Sequence, residues 1–105
     1  MPQFGDIEAT TSLRVTNWID DSANAGARTV NRQRGRSAFG AGASTCVITN
    51  SFCTAASLVL VTLEAADGLL TNVLRVTPAA GAFTVTANAA STGAGAVFSW
   101  WVQGP

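Results

Sequence analysis

The residue pattern predicts an all-β fold, an antiparallel β-sandwich of jelly-roll-like kind with an irregular N-terminal arm. Three observations point there. Short runs of Val, Leu, Thr and Phe recur along the chain between clusters of Gly, Pro, Asn and Asp. The most regular run, Ala82–Ala89, alternates apolar and polar residues with period two. No window carries the 3.6-residue period of an amphipathic helix, and a marginal turn of helix around Phe52–Ser57 is the most the pattern offers. A length of 105 residues suits one domain with a genuine core.

Taken in order, residues 1–27 read as a partly extended arm and residues 28–105 as the sandwich domain. The arm contains one alternating piece, Leu13–Thr16, followed by Trp18. Asp21–Ala27 is a loop by composition. Arg28, Arg32, Arg34 and Arg36 then crowd into one short segment. The last three are spaced i, i+2, i+4, which on a strand places them on one face.

Beyond Ala43 the elements are sharper. Thr45–Thr49 is a short β-branched strand. Ser57–Glu64 is so rich in Leu and Val that it reads as a strand covered on both faces. Asp67-Gly68 supplies a turn of hairpin type. Thr71–Thr77 is a further strand, stopped by Pro78, and Pro78–Gly81 turns again. In Ala82–Ala89 the residues Phe83, Val85, Ala87 and Ala89 face inward, while Thr84, Thr86 and Asn88 face outward. After a flexible turn at Ala90–Gly95 comes the last strand, Ala96–Val102. There Phe98, Trp100 and Val102 share one face, and Val97, Ser99 and Trp101 the other. The adjacent tryptophans must therefore point opposite ways. One can fill the core; the other needs something else to touch.

Composition narrows the function classes. Charged residues make up only 11% of the chain and the formal net charge is zero, so no general attraction to nucleic acid or to a membrane surface follows. From Val76 onward no side chain is charged. Charge depletion on this scale, against about a quarter in typical domains, implies both a surface rich in Ser, Thr, Asn, Gly and Ala and burial of part of it against other chains. The longest apolar run, Ala55–Leu63, is far short of the roughly 20 residues of a membrane span. The opening "MPQFGDIEATTS" lacks the basic start and apolar centre of a signal peptide, which implies folding in a cytoplasm. Cys46 and Cys53 then read as buried, reduced thiols rather than as a bridge across a turn near Asn50.

Catalytic machinery finds no footing. Histidine is absent, which excludes a Ser-His-Asp triad, a Cys-His pair and the usual zinc sites. Cys46 lies mid-strand among apolar neighbours, where a thiol is inert. Glu64 and Asp67 bracket a turn and read as solvated, turn-shaping carboxylates. The glycine-rich pieces "GAGA" (40–43) and "TGAGA" (92–96) lack the lysine and following helix of a phosphate loop. The expectation is a protein that is not an enzyme and takes no cofactor or metal.

Interaction residues are better candidates. The arginines either pair with carboxylates on this or a neighbouring chain or guard a solvated edge strand. Arg28, Arg32, Arg34 and Arg36, with Trp18, are candidate contacts to a partner or between subunits. Val97, Ser99 and Trp101 form a candidate subunit interface, since tryptophan is enriched where interfaces bind most tightly.

The run "ITNSFCTAASLVLVTLEAADG…LRVTPAAGAFTVTANAASTGAGAVFSWWV" resembles a β-domain recurring in virion proteins of tailed bacteriophages. In that domain a "VTNS" opening is followed by a "VPAAGSFT" hairpin and a terminal aromatic strand. The likeness covers about Arg36–Val102 and is most specific over Pro78–Ala90. It departs at Cys46, at Cys53 and at the doubled tryptophan, and residues 1–27 lie outside it.

The resemblance implies a β-sandwich or jelly-roll unit, commonly a homotrimer, of the kind found in head decoration (cement) proteins and in tail fibres or tailspikes. It carries no catalytic residues. A chain running only from Met1 to Pro105 leaves no room for a fibre shaft. The expectation is therefore a decoration protein on the virion capsid surface. It would bind the major capsid protein as a homotrimer and stabilise capsomer contacts, with no nucleic-acid or membrane partner. The runner-up is a receptor- or glycan-binding tail component in which Trp101 stacks on sugar rings. A small non-viral sandwich module is the third reading.

Overall fold

Every connection but one carries the chain from one β-sheet to the other. The computed structural model describes residues 18–93 and 95–104; the alternating piece at 13–16 lies outside them. The strands are β1 (Trp18–Asp20), β2 (Arg28–Thr29), β3 (Arg34–Ala38), β4 (Thr45–Thr49), β5 (Leu58–Ala65), β6 (Val73–Ala79), β7 (Ala82–Ala87) and β8 (Val97–Gln103). One sheet has the order β1-β3-β8-β5 and the other β2-β4-β7-β6. No helix occurs among the described residues; the stretch around Phe52–Ser57 is a pair of turns in which Asn50 and Thr54 accept from Cys53 and Ser57.

The fold is thus all-β and sandwich-like, and it differs from the sequence reading in three ways. First, the sheets are mixed. β1 pairs parallel with β3 and β2 parallel with β4, whereas the other pairings are antiparallel. Parallel neighbours need a crossover of about a dozen residues or more, and each crossover here contains a strand of the opposite sheet. Trp18, inside the segment read as an arm, already belongs to a sheet.

Second, Asp67-Gly68 does not join paired strands. It turns the chain from β5 across to β6 in the other sheet, with Gly68 at φ 62° and Leu70 buried in the core. A turn signal is local; which strand the chain pairs with afterwards is not. Third, β6 runs through Pro78, which sits opposite Phe83. Proline is tolerated because β6 is an edge strand, with no neighbour requiring its missing N–H. The single hairpin among the described residues, β6–β7, closes on Ala80-Gly81, with Gly81 at φ 79°.

Alternation decides the core. Phe83, Val85 and Ala87 of β7 and Phe98, Trp100 and Val102 of β8 are all buried and join Cys46, Ile48, Phe39 and Leu70 in one cluster. Fully burying each large side chain contributes about 1.5–3 kcal/mol. The Phe83 and Trp100 rings, from opposite sheets, lie 5.3 Å apart at 58°, the tilted geometry favoured by aromatic pairs. The Trp100 indole donates from Nε1 to Ser37 Oγ at 3.0 Å. Its ring rests on Gly35, where an added Cβ would stand 2.8 Å from Trp100 Cζ2 and 2.8 Å from the Ile19 carbonyl oxygen.

Two polar side chains tie the crossings down. Buried Asn50 donates through Nδ2 to the carbonyls of Val30 (2.8 Å) and Arg32 (2.6 Å) and accepts at Oδ1 from the Phe52 amide (2.8 Å). The Asp67 carboxylate accepts from the amides of Gly93 (2.8 Å) and Gly95 (3.2 Å) and from Ser91 Oγ (2.9 Å). These bonds fasten the β7–β8 loop to the β5–β6 turn. They favour the ionised carboxylate, the Gly93 amide most, and hold its pKa below the ordinary value.

Gly35→Ala should destabilise the domain by about 1–3 kcal/mol, the usual cost of forcing an extra carbon into a packed core; urea denaturation followed by tryptophan fluorescence checks it. Acid should act through Asp67. Its folded pKa lies below its unfolded one, so its stabilisation is complete above the unfolded value, about 3.9, and is lost as pH falls through the folded value. Asp67→Asn should therefore be less stable than the wild type near neutral pH, with the gap closing on acidification, as read from denaturation midpoints over a pH series.

Candidate functional site

Period two sends the residues between the buried ones of β3, β5 and β8 to the outer face of the first sheet, and pairing register lines them up. Trp18 stands opposite Arg34, Arg34 opposite Trp101, and Trp101 opposite Leu60. One row across four strands therefore reads Trp-Arg-Trp-Leu. The next row, by the same register, is Asp20, Arg36, Ser99 and Thr62. Between the rows runs a groove of about 340 Å³, lined by Trp18, Arg34, Leu60, Thr62, Ser99 and Trp101 and floored by Gly35 and Trp100.

The adjacent tryptophans are divided as alternation requires. Trp100 is 3% exposed and Trp101 43%, matching the 43% of Trp18. Each outer indole is braced by a guanidinium: Arg34 Cζ lies 5.5 Å from the Trp101 ring centre and Arg36 Cζ 5.9 Å from that of Trp18. Such cation–π contacts limit the freedom of exposed rings and contribute about 0.5–1 kcal/mol each.

Arg36 is also the hub of an ion-pair network. Its Nη1 donates to Asp20 Oδ2 at 3.1 Å, and its Nε lies 3.0 Å from Glu64 Oε1 and 3.2 Å from Oε2. The Glu64 carboxylate raises the Arg36 pKa most. Asp20 is held below the ordinary carboxylate value chiefly by hydrogen bonds from Ser22, with Arg36 adding a smaller share. At this exposure the pairs orient side chains more than they stabilise the fold.

The remaining arginines lie elsewhere. Arg28 is in β2, on the other sheet. Its Nε donates to Asp21 Oδ2 at 2.9 Å and its Nη2 reaches Oδ1 at 3.4 Å. The Asp21 carboxyl, bonded also by Asn24 Nδ2 at 2.9 Å, is held below the ordinary value, Arg28 contributing most. Arg32 falls between β2 and β3, its carbonyl taken by Asn50. The one-face stripe of Arg32, Arg34 and Arg36 thus shrinks to the latter two, because β3 begins only at Arg34. Nor is β3 an edge strand: β1 lies outside it. Arg28 and Arg36 pair with acids of their own chain, as one of the two arginine readings expects.

Val97, Ser99 and Trp101 share the outer face with Trp18, Arg34 and Arg36, so the two contact surfaces read from the sequence are largely one. Leu60 and Thr62 complete it, and neither stands out by sequence, because nothing local shows that β5 lies beside β8. No family model, curated protein or solved structure matches the chain.

Other reactive groups are engaged in structure. Glu64 and Asp67 serve separate partners and form no acid–base pair. Both cysteines are buried and free. Cys53 Sγ points to the Ala82 carbonyl at 3.2 Å, and Cys46 Sγ to that of Gly26 at 3.4 Å. Burial pushes the Cys46 thiol up to about 11. Among the described residues no cluster of three potential ligands could hold a metal ion. Cys46 should therefore resist a thiol-specific disulfide reagent in the native protein at mildly alkaline pH and react fully in denaturant; a spectrophotometric thiol count over time reads both.

Proposed function

We propose that this chain is a bacteriophage head decoration protein, a non-enzymatic, homotrimeric clamp on the capsid exterior, and that its Trp18–Arg34–Trp101–Leu60 row is the footing on the major capsid protein. That row carries the reading. Trp and Arg are the residues most enriched at tight protein contacts, and here four strands present them together, braced, around a shallow groove. The resemblance over Arg36–Val102 supplies the virion context. The clamp acts by multivalency: three modest footings on one rigid assembly bind far more tightly than one.

Strand order supports a jelly-roll relationship. β3 runs beside β8 in one sheet while β4 runs beside β7 in the other, and β5 and β6 follow on the far sides of β8 and β7. A pair of connected ribbons folded over together in this way is what a jelly roll would need, with a hairpin where further strands would be inserted.

A second reading has its own observation. Trp18 and Trp101 are two strands apart, about 10 Å, with Arg34 between them and the Ser99 and Thr62 hydroxyls in the adjacent row. Indole faces and hydroxyls at that spacing suit successive sugar rings, as a glycan-binding tail component would need.

One experiment addresses both. Heads of the encoding phage stripped of this protein are incubated with wild type or Trp101→Ala, and bound copies are counted. The decoration reading expects hundreds of wild-type copies per head and at least a ~30-fold weaker footing for the variant, corresponding to about 2 kcal/mol for a binding hot spot. Undiminished binding by the variant, or wild-type copies only in tails, would overturn it. Loss of binding to oligosaccharides with head binding intact would favour the second reading.

A further inference from the structure

Arg36, in the middle of β3, bonds to both outer strands of its sheet: to Asp20 of neighbouring β1 and to Glu64 of β5, two strands away on the other side. We infer that the Asp20–Arg36–Glu64 triad is an ionic clasp that positions the Trp18 indole at the rim of the groove, so that the rim loosens as ionic strength rises. Its bearing on attachment rests on the footing proposed above; the positioning itself rests on the geometry of the single chain.

Local structure aims each member of the triad. Asp20 Oδ1 accepts from the Ser22 amide at 3.0 Å and from the Ser22 hydroxyl at 2.6 Å. These bonds orient the carboxylate and leave Oδ2 to Arg36 Nη1 at 3.1 Å. At the far end β5 carries a bulge: Leu63 stands opposite Phe98 and Ala65 opposite Val97, so Glu64 is the extra residue. A bulge re-aims the side chain it displaces, and Glu64 Oε1 comes within 3.0 Å of Arg36 Nε. Between the two strands lies Ser99 of β8, opposite both Arg36 and Thr62. A side chain this small lets the arginine arm pass above it. β8 itself contributes no charge, the adjoining Asp21 is engaged by Arg28, and Arg34 lies over Trp101.

The importance of the clasp comes from the ring beside it. Arg36 Cζ is 5.9 Å from the centre of the Trp18 ring, which stands half-exposed on a strand of only three residues. Cation–π attraction gives an exposed indole a preferred seat, and that seat is only as fixed as the guanidinium. One carboxylate draws the guanidinium toward β1 and the other toward β5. With either gone, it is held from one side and can swing. Asp20 and Glu64 are therefore positioning residues, which act on the indole through Arg36. Exposed pairs of this kind are screened by salt, and at about 1 M the screening length is about 3 Å, no longer than the N···O separations of the clasp. The other two indoles are held differently: Trp100 by burial and its bond to Ser37, Trp101 by Arg34.

Nuclear magnetic relaxation of the three indole N–H groups, resolved separately in the full chain, tests the clasp in wild type, Arg36→Gln and Glu64→Gln at low salt and at about 1 M. In Arg36→Gln the order parameter of the Trp18 indole should fall below about 0.6, the flexible range, with a smaller fall in Glu64→Gln. Trp100 and Trp101 should keep their wild-type values in both variants, which also shows that the variants are folded. Salt should loosen Trp18 in wild type and change it no further in Arg36→Gln. A Trp18 indole as ordered in either variant as in wild type would overturn the clasp. So would a salt response that survives in Arg36→Gln, or a loosening shared by all three indoles, which would make the triad a support of the whole sheet. On stripped heads, Glu64→Gln should bind several-fold more weakly than wild type. A loosened Trp18 with undiminished head binding would leave the clasp standing and count against the footing.

Discussion

The seating of Trp100 on Gly35 is the contact on which the rest of this molecule depends. A ring of that size fits between the sheets only because β3 offers a bare backbone beneath it, and Ser37 stands one alternation further along to accept the hydrogen bond of its indole N–H. Phe83 then meets it from the opposite sheet. Once Trp100 is committed inward, strand geometry leaves Trp101 no choice but to face out. The outer surface is in that sense a by-product of the core. The same pleat that buries Ile19, Gly35, Trp100 and Val61 raises Trp18, Arg34, Trp101 and Leu60 into a row above them.

Holding that arrangement is difficult for so short a chain, because consecutive strands almost never pair with each other. Their connections must cross between the sheets, and crossings leave backbone groups without a ladder. Asn50 and Asp67 meet this need from opposite directions. Asn50 supplies donors to two orphan carbonyls, while Asp67 supplies acceptors to two orphan amides. The few charges the chain has are spent similarly, on Arg28–Asp21 and on Arg36 with Asp20 and Glu64, so little remains for the general surface.

What is left uncovered falls into two surfaces of different chemistry. One is aromatic, cationic and hydroxyl-bearing, flat, and braced by guanidinium stacking. The other, along β5, β6 and their turn, exposes Leu58, Leu69 and Leu74 beside Glu64, Asp67 and Arg75.

Much of this was legible in the residues alone. Period two in Ala82–Ala87 and Val97–Gln103 determined which side chains enter the core and that the two tryptophans part company, because alternation is a property of the strand itself. The lack of helical period determined the all-β class, and pairing of arginines with acids was one of two expectations for them. Tertiary structure alone decided the rest. Parallel pairing of β1 with β3 and of β2 with β4, the passage of Asp67-Gly68 between sheets rather than within a hairpin, and the placing of Trp18 and Trp101 in one row either side of Arg34 all depend on strand order, for which no local signal exists. The leucines and valines of β5 show the boundary best. Their sequence says that both faces should be covered; the fold half-buries Val59, Val61 and Leu63 against the core and leaves Leu58 and Leu60 exposed on the other face, since burial depends on neighbours that hydrogen-bonding order, and not residue order, supplies.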